Sequence, residues 1–449
     1  MKGSIYFLGI GGISMSGLAR FYHLRGFQVS GYDKTPSPLT KQLEEEGIAI
    51  HYDENPSLIP ENPDLVVYTP AIPKDNKEWL YVNAKHYPLK KRSEVLGMLT
   101  SEKKCVAVAG SHGKTTTSSM IAYILSQSNT NCTAFLGGIA NNFKSNFHSA
   151  PKSCYVVTEA DEYDRSFLQL YPTFSVITAT DPDHLDIYGS VENMRKAFEQ
   201  FAAQTQKDGC LFYKEGIKLT LPQAQKSLSY HLSSSTADYA AENIVIKNGN
   251  YHFDLRTPDG IISDLVLTYP GKHNVENAVA ALAVCIHCGV SQQELRDGLF
   301  SFAGVYRRFD YKIRRPDFVY IDDYAHHPAE ISMLIHSVRE LYPDKKITGI
   351  FQPHLYSRTR DFMTEFASVL SLLDTVVLMD IYPARELPIA NITSKALSDK
   401  IQIADKHLLA SQDIIPFLKD HRPEILLTIG AGNIDRLVAP ITQAFNHEE

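Results

Sequence analysis

Cys105-Val-Ala-Val-Ala-Gly110-Ser-His-Gly-Lys114-Thr-Thr-Thr117 decides how the chain is read. The apolar run before Gly110 suits a short strand covered on both faces, the pattern of a parallel sheet. Glycines 110 and 113 then give a tight turn, and the residues after Lys114 to about Ser126 continue as a helix. A strand, a glycine turn and a helix N-terminus turn backbone N–H groups toward one point, which cradles phosphate oxygens. Lys114 would neutralise β/γ-phosphate charge and the Thr115 hydroxyl would ligate Mg²⁺. Position 108 is Val, so the loop is a short GxxGKT rather than the full GxxxxGK[ST]. A glycine turn with a chance lysine is the competing reading.

Working outward, the same strand–helix alternation recurs on both sides. Ile5–Leu8, Phe27–Tyr32 and Leu65–Tyr68 read as strands, with a helix from about Ser14 to Arg25. Tyr155–Thr158 and Ser175–Thr178 continue the central unit. Ile244–Ile246 and Tyr251–Leu255 flank Lys-Asn-Gly-Asn, a hairpin signal, so a small antiparallel patch is expected there. Beyond Arg307–Arg315, strands recur at Phe318–Ile321, Ile347–Phe351, Thr375–Met379 and Ile425–Ile429. With Ser101–Lys104 read as a linker, the chain is expected to be α/β with three units, 1–102, 103–310 and 311–449.

The 449 residues carry 44 basic and 51 acidic side chains, a net −7, so no nucleic-acid binder or anionic-membrane binder is expected. No stretch reaches the ~18 apolar residues of a membrane span, and glycines 9, 11, 12 and 17 interrupt the N-terminal run as a signal peptide would not. The chain therefore reads as cytoplasmic. Six scattered cysteines exclude a disulfide scaffold. Cys285 and Cys288 lie in an apolar helix, NAVAALAVCIHC, and read as buried thiols rather than a zinc or redox pair.

In each unit the chemically suggestive residues follow the carboxyl ends of strands, where open α/β sheets bind ligands. Gly9-Ile-Gly11-Gly12-Ile-Ser14 follows the first strand and Asp33 ends the second, a layout for a nucleotide pyrophosphate and a ribose hydroxyl. Ser14 replaces the third glycine of a dinucleotide fingerprint, so a merely tight turn also fits. Glu159, Asp161, Glu162 and Asp164 put four carboxylates within six residues, and Asp181-Pro-Asp183-His184 ends the next strand. Beside a phosphate loop, Glu159 and His184 are the candidate magnesium residues; a solvated acidic loop with a capping histidine is the alternative. Asn274 and Asn277 open the apolar helix, as caps or as readers of a nucleobase edge. Arg307 and Arg308 are linker charge or a reach toward phosphates. In the third unit Asp322-Asp323-Tyr-Ala-His326-His327, Gln352-Pro-His354-Leu-Tyr-Ser-Arg358-Thr-Arg360 and Asp380-Ile-Tyr-Pro-Ala-Arg385-Glu386 close successive strands. The Asp/His group alone would suit a metallohydrolase, and the first glycine turn alone an NAD-dependent oxidoreductase. The arginine-bearing loops favour capture of carboxylate or phosphate.

Taken in order, GIGGISMSG, AGSHGKTTT, EADEYD, DPDHLDIY, GKHNVENAVAA, GVYRRF, DDYAHHPAEI, FQPHLYSRTRDF, DIYPARELP and GAGNI run from residue 9 to 434. As a set they resemble the ATP-dependent Mur ligases of peptidoglycan synthesis, and DDYAHHP with FQPH resembles the branch acting on UDP-N-acetylmuramate and L-alanine. The resemblance implies a Rossmann-like N-terminal domain for the UDP-sugar, a P-loop central domain, and a Rossmann-like C-terminal domain for the amino acid, in a monomer or homodimer. It implies ATP and Mg²⁺ as cofactors, and an acyl phosphate on the lactyl carboxylate that the alanine amine attacks. Either the free amino acid or, in a recycling ligase, a tripeptide would be the amine. Domain closure is expected as well, since the groups lie on three units.

By the same resemblance Gly9, Gly11, Gly12, Ser14, Met15, Asp33, Thr69 and Ala71 hold the UDP-sugar. Gly110, Ser111, His112, Gly113, Lys114, Thr115 and Thr116 hold the ATP phosphates; Asn274 and Asn277 face adenine, and Arg308 and Asp323 complete the ATP site. Thr115, Glu159 and His184 take magnesium. Tyr324, His326 and Arg358 receive the alanine and the sugar carboxylate, with His326 as a base for the ammonium; Lys114, Glu159, His184, His326 and Arg358 form the catalytic set. The chain departs from the pattern twice: Leu355 stands where many relatives carry arginine, and Ala179 where many carry asparagine. Lys196, near a lysine that some relatives carbamylate, is assigned no role.

Overall fold

The computed structural model describes residues 2–182, 185–223, 226–384 and 386–446. Ile5, Tyr6, Phe7 and Leu8 are all buried, so the strand Lys2–Leu8 has no solvent face and takes the centre of its sheet. That sheet has five parallel strands in chain order 3-2-1-4-5: Ala49–His51, Phe27–Tyr32, Lys2–Leu8, Leu65–Tyr68 and Leu89–Lys91. The order reverses between the first and fourth strands, which opens a crevice at the carboxyl ends of Lys2–Leu8 and Leu65–Tyr68. The helix Ile13–Leu24 follows the first strand through Gly9 to Gly12.

The second sheet has ten strands, and Lys104–Ala109 lies inside it, paired in parallel with Tyr155–Glu159 on one side and Pro172–Ile177 on the other. The expected hairpin forms as Tyr239–Lys247 against Asn250–Thr257, turning through Asn248 (φ 53°) and Gly249 (φ 73°), the left-handed pair that such a two-residue turn requires. Instead of standing apart as an insertion, it continues the parallel sheet, because Lys226–His231 pairs with Tyr239–Lys247. Gly260–Leu267 adds the last antiparallel strand on that edge.

The expected linker at 101–104 is nearly absent: Ser101 ends the helix Arg92–Ser101 and Lys104 begins the central strand. The first two sheets share one apolar core. Phe21 on the first helix packs against Phe135 and Phe147 of the second sheet, with ring centroids 5.6 and 6.4 Å apart. Beside it the buried Arg20 donates to Asn146 Oδ1 at 2.7 Å. Residues 1–268 with 274–303 therefore form one compact unit, and 269–273 with 304–449 form a second.

The second unit holds a six-stranded sheet: Asp310–Arg314, Val319–Asp323, Ile425–Ile429, Ile347–Phe351, Thr375–Leu378 and Lys406–Leu408, parallel except for the first. The stretch around Arg307–Arg315, expected as a boundary, supplies that antiparallel edge. Arg307 is buried, donating through Nε to Asp322 Oδ2 at 2.9 Å and through its terminal nitrogen to Gly430 O at 2.7 Å. A buried arginine persists only where such partners satisfy it. Arg307 is thus a strut of this unit rather than linker charge. Cys285 and Cys288 are both buried and free, as the apolar pattern requires, and burial raises both thiols, Cys288 to about 12.

Candidate functional site

The phosphate loop is built by two close approaches that only glycine permits. Gly110 has φ 135°, and a Cβ there would sit 2.2 Å from Thr178 Oγ1. Gly113 has φ 82°, caps the helix Lys114–Gln127, and lies so close to Asn277 that a Cβ would be 2.7 Å from its Oδ1. Ser111 N–H donates to Ala179 O at 3.1 Å and Ser111 Oγ to Asp181 O at 2.7 Å, so the loop rests on the end of the strand Pro172–Ile177. No side chain caps that helix, which leaves its first N–H groups for an anion.

Two carboxylates from the end of the adjacent strand meet this loop. Thr115 Oγ1 donates to Glu159 Oε2 at 2.7 Å. Gly137 makes room for that carboxylate, since a Cβ there would lie 2.0 Å from Glu159 Oε2. Lys114 Nζ donates to Gly110 O at 2.6 Å and to Glu162 Oε1 at 2.7 Å, and the Glu162 side chain is 2 % exposed. Burial draws the Lys114 ammonium down, but the Glu162 and Glu159 charges outweigh it and hold it above its ordinary range. In Glu162 burial prevails over the attraction of Lys114 and raises the carboxyl. The hard oxygens of Thr115 and Glu159 fit a magnesium ion that takes its other ligands from phosphate and water. Among the described residues no group of three or more His, Cys, Asp and Glu forms a metal cage. Asp183, His184 and Arg385 lie outside the described residues.

At the other end of the same unit the glycine turn hangs on Tyr32, whose carbonyl accepts from Gly9 N at 2.8 Å and Ile10 N at 3.0 Å. Gly9 (φ 88°) presses against Thr69, where a Cβ would be 2.6 Å from Thr69 Cγ2, so Gly9 and Thr69 are brought together across the crevice. Ala71 N–H reaches Thr69 Oγ1 at 3.5 Å. Asp33 accepts from Gly11 N at 2.8 Å and Thr35 N at 3.2 Å, bracing the turn. Gly12 precedes the helix with no side-chain cap, while Ser14 is half-buried and Met15 buried.

Asn274 and Asn277 stand one helical turn apart on Lys272–His287, and Asn277 Nδ2 donates to Asn274 Oδ1 at 3.2 Å. Asn277 also abuts the glycine loop, at Gly113.

In the second unit Asp323 closes a loop, accepting from Phe309 N at 2.6 Å and Ala325 N at 2.7 Å. Burial pushes its carboxyl up to about 6, against the pull of those donors and of Arg308. His326 Nδ1 is 3.0 Å from Tyr324 O. A carbonyl only accepts, so Nδ1 carries the proton and Nε2 the lone pair. Burial holds the His326 imidazole below its ordinary value, opposed by Glu330 and reinforced by the Arg358 cation. His354 is pushed down to about 4 by burial, with His326 and Arg358 adding to it. Its Nδ1 is buried without a hydrogen-bond partner and its ring stacks on Tyr382 at 5.7 Å. Tyr324, His326, His354 and Arg358 therefore form one cluster at the ends of two strands.

Leu355 holds φ 70° and ψ 136°, outside the ordinary regions for a branched side chain. It is pinned by Leu355 N–H to Tyr382 O at 2.9 Å and by Thr359 Oγ1 to Leu355 O at 2.7 Å. The sequence reading names Glu162 and Gln352 within their motifs without a role of their own, and it passes over Gly137. Gln352 donates to Asn433 Oδ1 at 2.7 Å and accepts from Ile434 N at 2.9 Å, which locks the GAGN turn to the end of its strand. The strand-end position of Gln352 was legible; the partner 81 residues away was not.

Known proteins match this architecture along nearly the whole chain. The Mur ligase family catalytic domain matches residues 4–104, the Mur ligase middle domain 108–285, and the Mur ligase glutamate ligase domain 307–432. The UDP-N-acetylmuramate–L-alanine ligase of Parabacteroides distasonis is 49% identical over 447 residues, covering 98% of this chain and 96% of its own. That of Flavobacterium psychrophilum is 47% identical over 449 residues, covering 99% and 98%. The crystal structure of UDP-N-acetylmuramate-alanine ligase from Thermotoga maritima superposes with a TM-score of 0.85 at 28% identity, over 100% of both chains. A murein peptide ligase from Psychrobacter arcticus shares the fold at 21% identity and a TM-score of 0.71, over 100% and 99%. With its phosphate loop, paired acidic strand end and three sheets in this order, the chain belongs to the Mur ligase family.

Proposed function

We propose that the chain joins L-alanine to the lactyl carboxylate of UDP-N-acetylmuramate with ATP hydrolysis, in peptidoglycan precursor synthesis. The observation that carries this reading is the Lys114–Thr115 loop facing Glu162 and Glu159 at 2.7 Å each, within a chain whose full-length relatives bear that activity in their names.

A carboxylate is a poor electrophile, and amide formation in water is uphill. Transfer of the γ-phosphoryl group to the sugar's carboxylate makes an acyl phosphate, which the alanine amine then attacks through a tetrahedral intermediate. The residues supply charge neutralisation and position. Lys114 and the loop N–H groups from Gly110 to Thr116 hold the phosphates, and Asn274 with Asn277 faces the adenine. Thr115 and Glu159 would hold Mg²⁺, which supplies charge neutralisation on the phosphate oxygens. Gly9 to Met15, Asp33, Thr69 and Ala71 receive the UDP-sugar. Arg308 and Asp323 serve the ATP phosphates, Arg358 and Tyr324 the carboxylates, and His326 Nε2 accepts the ammonium proton.

The test is phosphate release with UDP-N-acetylmuramate and ATP, adding each amino acid in turn. Turnover dependent on L-alanine is the expected result. Turnover that instead requires a tripeptide reassigns the chain to a recycling ligase, and product formed without ATP overturns the reading.

A further inference from the structure

Glu162 belongs to the acidic run EADEYD, and the reaction as described leaves it without a task. Its carboxylate is almost wholly buried, with Oε1 2.7 Å from Lys114 Nζ. The other oxygen, Oε2, is buried with no hydrogen-bond partner. Burying an anion is costly unless it is paired, and the partner here is the lysine assigned to the nucleotide phosphates. The Glu162 and Gly110 bonds take two of its three N–H donors, so nucleotide phosphates would compete with them for the ammonium. Lys114 is further tied to Gly110 O at 2.6 Å, which folds its amine back over the loop where phosphate would lie.

The segment carrying Glu162 is held from outside. Tyr188 Oη donates to Glu162 O at 2.6 Å. Lys91 Nζ lies 2.6 Å from Asp164 Oδ2, and Arg92 4.0 Å from Asp161. Asp164 (φ 47°) and Arg165 (φ 58°) follow in the left-handed region, where non-glycine residues are strained. The backbone that carries the carboxylate is thereby anchored, and the long side chain of Lys114 is the partner with the reach to be re-aimed.

We propose that Glu162 is a positioning residue, a built-in counter-ion that holds Lys114 over the loop and competes for it with the nucleotide phosphates. Phosphate affinity is then set by a competition, and the apparent dissociation constant is raised by the share of molecules whose lysine is engaged. The proposal rests on the phosphate-loop reading but not on which substrates are ligated.

Calorimetric titration with ADP tests it, on the full chain. Glu162→Gln keeps the shape and removes the charge, so ADP should bind tighter, by about tenfold if nine in ten loops are latched. The double variant Lys114→Ala/Glu162→Gln should bind ADP more weakly than the wild type, since the gain runs through Lys114. ADP affinity unchanged or lowered in Glu162→Gln overturns the proposal, as does a double variant that binds tighter than the wild type. A wild-type chain that binds no ADP would overturn the phosphate-loop assignment itself, a result distinct from an unmoved Glu162→Gln.

Discussion

Lys114 and His273 show how burial decides what a single charged group contributes. Lys114→Ala removes the cation proposed to serve the nucleotide phosphates and leaves Glu162 buried without its partner. Phosphate release should be abolished and the melting temperature lowered, by roughly 3 kcal/mol of stability, while UDP-N-acetylmuramate binding measured by calorimetry persists. His273 is half-buried beside Arg308, and its desolvation, then that cation, pushes it down to about 4 from 6.5. The unfolded chain therefore takes up a proton between those values and the folded one does not, so stability falls as pH drops through that window and no further below it. At pH 5 the loss is about 2 kcal/mol, and urea midpoints at pH 7 and 5 should show a shallower decline in His273→Asn. Asp323, raised to about 6, has the opposite sign, favouring the folded state at the acid end. Comparing the His273 variant with its parent cancels that contribution.

Among elements, the strand Thr133–Ala140 matters for a side chain it lacks. Gly137 faces Glu159, and Gly137→Ala would drive the carboxylate out of line with Thr115. Ligation should fall on the order of 10²-fold, as a displacement of about an ångström costs, and the magnesium concentration for half-maximal rate should rise. ADP binding without magnesium should change little, which separates this effect from misfolding. Such dependencies explain what the sequence conveyed. Strand ends and glycine turns are local: Phe27–Tyr32, Leu65–Tyr68 and Ile347–Phe351 fall where alternation and apolar runs put them. Glu159 and Thr115 could be paired because each closes or follows a strand beside the other. Gly137 could not, since nothing around it announces which strand its missing side chain opposes. Arg307 misled for the same reason. An arginine among basic neighbours reads as exposed, and only the chain's return at Asp322 and Gly430 makes it a core strut.

For the whole molecule, the sequence suggests three units because the βα pattern is interrupted twice. The first interruption does not separate cores, since Phe21, Phe135 and Phe147 pack together and Arg20 is bonded to Asn146. Side-chain packing of this kind leaves no trace in the pattern of elements. Scanning calorimetry should therefore show no more than two transitions, with the first two sheets melting together, and Asn146→Ala should lower that transition by about 1–3 kcal/mol, because one terminal nitrogen of Arg20 loses its acceptor while its ion pair with Glu46 stays. Three resolved endotherms would contradict the shared core.

The position of Ile425–Ile429 carries one more consequence. It lies between Val319–Asp323 and Ile347–Phe351, although it is made roughly a hundred residues after the first of them. On the ribosome those two earlier strands wait as unpaired apolar edges until the late one emerges. Nascent chains halted before residue 425 should remain chaperone-bound and protease-sensitive throughout this unit, and release should come abruptly, once the missing centre arrives.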